Sequence, residues 1–208
     1  MFEGRDYEQW DSINRATGEL IKSLTGKEDY GFIPRKLKVG KRLSQIIMFR
    51  THTCVNRAIG AYEVIFNTLG PNQRAQDLFI FTSGLFPAMQ ILDTAPKKQV
   101  LGIYNKHLLP LGERLRPCLK GLLCSIFLGD DPSNLEVTKM IPPLLASICE
   151  AVHPPIFYTA VWECILTNPQ IRIPAINFIL VKNEHCLFSQ YSIYQGFPTW
   201  GTREVSNH

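Results

Sequence analysis

A chain of 208 residues with 45% apolar content can bury one or two ordinary cores, which excludes a disordered or fibrous protein. Its formal charge of +4 is too small to specify nucleic acid on electrostatic grounds. Charged residues are 19% of the chain, below the roughly 25% of a typical domain, so apolar surface beyond the core is expected.

The opening "MFEGRDYEQW" is acidic and aromatic, with no apolar signal-peptide core. No N-x-S/T acceptor occurs anywhere. A cytosolic protein is expected, with any membrane contact peripheral. Trp10, Ile13, Leu20, Ile21 and Leu24 mark a first helix that ends near Gly26. There "SLTGKED" has Gly26-Lys27 but neither the upstream glycine nor the hydroxyl of a phosphate loop.

"GFIPRK" then opens a basic segment. From Tyr30 through Tyr62 there is no Asp or Glu, while Arg35, Lys36, Lys38, Lys41, Arg42, Arg50 and Arg57 all fall in that span. On a helix, Val39, Leu43, Ile46 and Ile47 form one apolar sector, with Lys38, Lys41 and Arg42 on the adjacent one. A cationic helix beside apolar surface can lie on anionic lipid or dock an acidic partner. A solvated outer face is the simpler alternative. RNA fits poorly, because no aromatics interleave with the cations. Arg35, Lys36, Lys38, Lys41 and Arg42 are therefore the candidate lipid- or partner-binding residues.

"VNRAIGAYEVIFNTLG" is the clearest helix. Val55, Ala58, Ile59, Tyr62, Ile65, Phe66 and Leu69 recur at i, i+3, i+4, i+7. Gly70-Pro71 is expected to end it, as a C-terminal glycine followed by a proline that cannot continue. The run "LFIFTSGLFPAMQIL", residues 78 to 92, is shorter than the about 20 residues a bilayer-spanning helix needs, and reads as core.

Prolines punctuate the rest. "TAPKK" looks like another helix start. "DDPSN" offers Asp131 as N-cap with Pro132 at the first helical position, and "TNPQ" offers Asn168 with Pro169. Pro87, Pro117, Pro142, Pro143 and Pro174 lie inside apolar segments, where they kink or split helices. In "HLLPLGERLRPCLKGLL", Pro110 to Gly112 ends one helix and Pro117 fits the first turn of the next. Leu119, Leu122, Leu123, Ile126 and Phe127 supply that helix's packing face, and Arg114, Arg116 and Lys120 cover the joint with water-facing charge.

No segment alternates like a strand. "IRIPAINFIL" comes nearest, but Asn168 and Pro174 favour a helix. The expected fold is all-α, with about nine to eleven helices in antiparallel pairs. Pairs recur about every 35 to 45 residues, near the HEAT repeat length, and core-like residues occupy both faces of several helices. An α-solenoid of HEAT/armadillo-like pairs over residues 1–183 is expected, with a divergent, poorly ordered tail at 184–208.

Catalytic chemistry finds no foothold. The cysteines at 54, 118, 124, 149, 164 and 186 form no C-x-x-C and read as buried small hydrophobes in a reducing compartment, with disulfide or metal roles as the alternative. His52, His107, His153, His185 and His208 are isolated. "DDPSN" superficially suggests the aspartate-rich motif of all-α diphosphate enzymes, but Asn134 stands at the third acid and no second acidic motif follows. An enzyme using Asp130 and Asp131 is the weakest of the functional readings. No cofactor is implied.

"GFIPRKLKVGKRLSQ", "AYEVIF", "AQDLFIFTSGLFP", "IYNKHLLPLGERLRPCLKGLL" and "FYTAVWECILTNPQIRIPAINFIL" occur in that order. Together, from Asp11 to Val181, the chain resembles the N-terminal domain of the Dopey family. "IIMFRTHTCVNRA" departs most from that pattern, and the stretch after Lys182 matches nothing in it. The resemblance implies very large cytosolic α-solenoids that scaffold traffic between endosomes, Golgi and endoplasmic reticulum, of which this chain matches the first section. It also implies peripheral membrane association, a large relative of Arf exchange factors and kinesin light chain as partners, phosphoinositide contact, and no catalysis. It carries no binding-site motif, so the basic segment rests on the residues alone.

Overall fold

The computed structural model describes residues 3–26, 31–48 and 52–183. Arg50 and the segment 184–208 lie outside the described residues, as does the side chain of Trp10. Among the described residues the fold is all-helical: α1 (Glu3–Leu24), α2 (Lys36–Met48), α3 (His52–Thr68), α4 (Pro71–Ala88), α5 (Thr94–Ile103), α6 (Leu119–Gly129), α7 (Leu135–Val152), α8 (Pro154–Thr167) and α9 (Arg172–Asn183).

The packing follows a simple order. α1 packs on α3, α3 on α5 and α5 on α7, while α2 packs on α4, α4 on α6 and α6 on α8. Cross-contacts such as α2 on α3 and α7 on α8 join the two rows. A helix in the middle of such an arrangement must be apolar on more than one side. α3 buries Val55, Ala58, Ile59, Tyr62, Ile65 and Phe66, and α4 buries Leu78, Phe81, Leu85 and Phe86. The core therefore runs along the seam between the rows.

Two glycines let α2 approach α4 closely. A Cβ at Gly40 would lie 3.0 Å from the Ile80 carbonyl oxygen, and one at Gly84 would lie 2.5 Å from Ser44 Cβ. Ordinary side chains at either position would hold the helices apart.

Several local expectations change. Gly70 does not close α3 in the left-handed region. Its φ is −59° and ψ 162°, and it is the residue before α4, whose first residue is Pro71. The missing proline N–H is harmless there, so the pair starts a helix as much as it stops one. Asp131 does not cap α7. Asn134 does, accepting from the Val137 amide at 3.4 Å, while Asp131 accepts from the Ser133 amide at 3.1 Å and closes the preceding turn. Pro132 accordingly precedes the helix. Asn168 does act as the predicted cap, accepting from Gln170 N at 3.0 Å, but of a short 3-10 turn (Pro169–Ile171) that leads into α9.

The Pro110–Gly112 break is present. α5 runs on through a π-turn (Tyr104–Leu108) and a 3-10 stretch (Leu109–Cys118), and the chain leaves helical geometry at Gly112, with φ 56° and ψ −129°. Pro117 lies just ahead of α6, not in its first turn. All five predicted packing residues of α6 are buried. Arg114, Arg116 and Lys120 are exposed; Arg114 donates to Asn72 Oδ1 at 2.8 Å and Arg116 pairs with Glu113 at 3.0 Å. α7 continues past Pro142 and Pro143, and α4 past Pro87 near its end.

Candidate functional site

The basic segment divides its cations among different tasks. Lys36 Nζ sits 2.6 Å from Oδ1 of buried Asp77 on α4, and Gln73 Nε2 donates to the other carboxylate oxygen at 2.9 Å. Lys36 thus ties α2 to α4, and of the five candidate cations it is the one that pairs with a buried carboxylate of the fold. Arg57 donates to the Asn14 carbonyl at 3.0 Å and ties α3 to α1. Arg35, Lys38, Lys41 and Arg42 remain exposed and pair with no acidic side chain among the described residues.

Three of these four share one feature. α1 and α2 both pack on α3, and a groove of about 750 Å³ separates them. Ile13, Ala16, Leu20, Val39, Leu43 and Ile46 give it an apolar floor, and Arg35, Lys38 and Arg42 line its α2 side. The i, i+4 spacing of Lys38 and Arg42 places both on one face of α2, and Arg35 joins them from just before the helix. Arg35 holds that position from a left-handed conformation (φ 52°), its carbonyl accepting from Lys38 N at 2.8 Å and Val39 N at 3.1 Å. Arg42 donates to Gln45 Oε1 at 3.3 Å. Lys41 is not among the residues that line the groove; it lies on an outer edge with exposed Leu37 and Met48. The predicted apolar sector is present, with Leu43, Ile46 and Ile47 buried and Val39 half-buried.

The α1 wall of the groove is not singled out by the sequence. Its apolar spacing marks a packing face, and nothing local shows that part of that face meets a gap. Elsewhere, Asp130 accepts from Thr138 Oγ1 at 3.0 Å, and Asp131 from Ser133 Oγ at 2.6 Å, which holds its carboxyl below the usual carboxylate range. The pair is occupied in building the α6–α7 turn. His107 is buried, with its ring centroid 5.9 Å from that of Phe66. His153 is at the surface, 2.6 Å from Glu113. No group of three or more His, Cys, Asp or Glu among the described residues could hold a metal ion, and no described helix is long and apolar enough to cross a membrane.

Comparison with known proteins places this chain in a family. A family model described as "Dopey, N-terminal" matches residues 1–190. The Protein DOP1 homolog of Drosophila melanogaster is 36% identical over 187 residues, which is 89% of this chain and 7% of that protein. Protein pad-1 of Caenorhabditis elegans is 34% identical over 175 residues, 84% of this chain and 7% of that protein. Protein DOP1B of Mus musculus is 32% identical over 173 residues, 83% of this chain and 8% of that protein. The chain therefore spans only 7 to 8% of the length of these relatives. No solved structure matches it. The family model over residues 1–190 and these relatives agree: the chain belongs to the Dopey family.

Proposed function

We propose that the chain is a non-catalytic helical scaffold in vesicle-mediated transport between endosomes, Golgi and endoplasmic reticulum, and that the α1–α2 groove is its contact site for an acidic, amphipathic segment of a protein partner. Kinesin light chain and an Arf-exchange-factor-like scaffold are the partners the family resemblance suggests. The carrying observation is the set of three cations, Arg35, Lys38 and Arg42, unpaired with any described carboxylate and lining an apolar groove. A helix with an apolar stripe and an acidic flank would fill such a groove and meet its charge. The two helix rows support reading the fold as an α-solenoid of HEAT/armadillo-like pairs, in which each pair is covered by its neighbours. Exposed Trp162 and Leu166 on α8, and Ile173, Ile176 and Leu180 on α9, support a continuation of the stack in the longer relatives.

A second reading has its own observation. Lys41, flanked on the outer edge by exposed Leu37 and Met48, suits a peripheral contact with anionic lipid. The two readings separate by position. Replacing Arg35, Lys38 and Arg42 with Glu should weaken binding of kinesin light chain at least roughly tenfold, while Lys41→Glu with Leu37→Ser leaves it unchanged and reduces flotation with phosphoinositide-containing liposomes. Undiminished binding by the triple variant removes the groove reading. No binding of wild type at micromolar concentration removes the motor-adaptor reading.

A further inference from the structure

α6 and α8 pack side by side in one row, and at their contact two thiols meet. Cys124 Sγ of α6 and Cys164 Sγ of α8 lie 3.4 Å apart. No bond joins the two sulfurs. Cys164 is fully enclosed and also reaches the Lys120 carbonyl at 3.5 Å, whereas Cys124 is only half-buried. Cys54, Cys118 and Cys149 are buried. We propose that Cys124 and Cys164 are a redox pair, in which Cys124 reacts first with a peroxide and Cys164 resolves it to a disulfide that staples α6 to α8.

The division of labour follows from the surroundings. Cys124 Sγ donates to the Cys164 sulfur, whose own thiol donates to the Lys120 carbonyl; the hydrogen bond shared by the two sulfurs, and then the Lys120 ammonium one turn away, bring the Cys124 pKa down to about 7 despite partial burial. Cys164 is pushed up by that same bond and by burial, so it keeps its proton. The half-exposed thiolate is therefore the nucleophile and the enclosed thiol the resolver. The thiolate attacks one peroxide oxygen. The O–O bond breaks, hydroxide leaves and takes up a proton, and Cys124 becomes a sulfenic acid. The Cys164 sulfur then displaces the sulfenic hydroxyl. The S–S bond forms, and the thiol proton departs with that hydroxyl as water. Peroxide is reduced to two waters while two thiols become one disulfide. The sulfurs must close from 3.4 Å to about 2.05 Å, between helices already in contact. In a reducing cytosol the bond would be transient.

The test is hydrogen peroxide treatment of the 208-residue chain, followed by alkylation and peptide mass spectrometry. A Cys124–Cys164 linked peptide should form ahead of any other, be reversed by dithiothreitol, and raise the thermal midpoint by roughly 5 to 10 °C. In Cys164→Ser, Cys124 should accumulate as a sulfenic acid that dimedone captures. In Cys124→Ser, Cys164 should stay unmodified. Over-oxidation of Cys124 without linkage in the wild-type chain, or dimedone labelling of Cys164 in preference to Cys124, would overturn the proposal.

Discussion

Gly84→Ala tests the packing argument directly. The added methyl would sit 2.5 Å from Ser44 Cβ, 2.8 Å from the Tyr62 hydroxyl and 2.9 Å from Ser44 Oγ, where carbon contacts normally rest at about 3.5–4.0 Å. α2 and α4 would have to part by about 1 Å. Gly40 lies along the same seam, where an added Cβ would meet the Ile80 carbonyl oxygen at 3.0 Å, so the two helices approach closely at both positions. Overpacking at the upper end of its usual range costs about 3 kcal/mol. Alanine's better helix propensity returns about 1 kcal/mol, leaving a net destabilisation of about 2 kcal/mol. Urea titration should show this as a lower midpoint at unchanged slope. Ser44→Gly removes two of the three contacts. The double variant should then be more stable than the sum of the single effects by at least about 1 kcal/mol. Gly129→Ala is the control, since its methyl meets the end of the flexible Met89 side chain and should cost under about 1 kcal/mol. Strict additivity between positions 84 and 44, or a Gly84→Ala chain as stable as wild type, would refute the close-approach argument.

Lys36→Ala should lower stability by about 1–2 kcal/mol, because Asp77 stays buried with only Gln73 beside it. Partial exposure of the lysine keeps the loss below that of a fully buried pair, and calorimetry with and without Asp77→Asn checks the coupling. The same substitution should leave partner binding at the groove intact, unlike reversal of Lys38 and Arg42. His107 gives a pH signature. Burial, and then the nearby Arg74 and Lys106, lower its pKa from the ordinary 6.5 to about 4. The unfolded chain therefore binds this proton first as pH falls, and stability should drop by about 2–3 kcal/mol between pH 6.5 and 4. Urea midpoints across that range should flatten in His107→Phe, which keeps the ring against Phe66.

The one-dimensional pattern determined the helices. Periodic apolar residues define an α3 whose named face is wholly buried, because helical periodicity is a property of consecutive residues and survives in any tertiary setting. The same locality explains why turn chemistry at "DDPSN" was half legible. Several residues there can cap, and the geometry of the preceding turn chose Asn134 over Asp131. The candidate site was legible as a basic helix with an apolar side. Only tertiary structure decided which of its cations pair within the fold. Lys36 is taken by Asp77, 41 positions away in sequence, and Arg57 by a carbonyl 43 positions away. The groove exists because α1 and α2 both lean on α3. The two thiols of α6 and α8 meet for the same reason: contacts between helices distant in sequence depend on how the rows stack, and no local spacing records that.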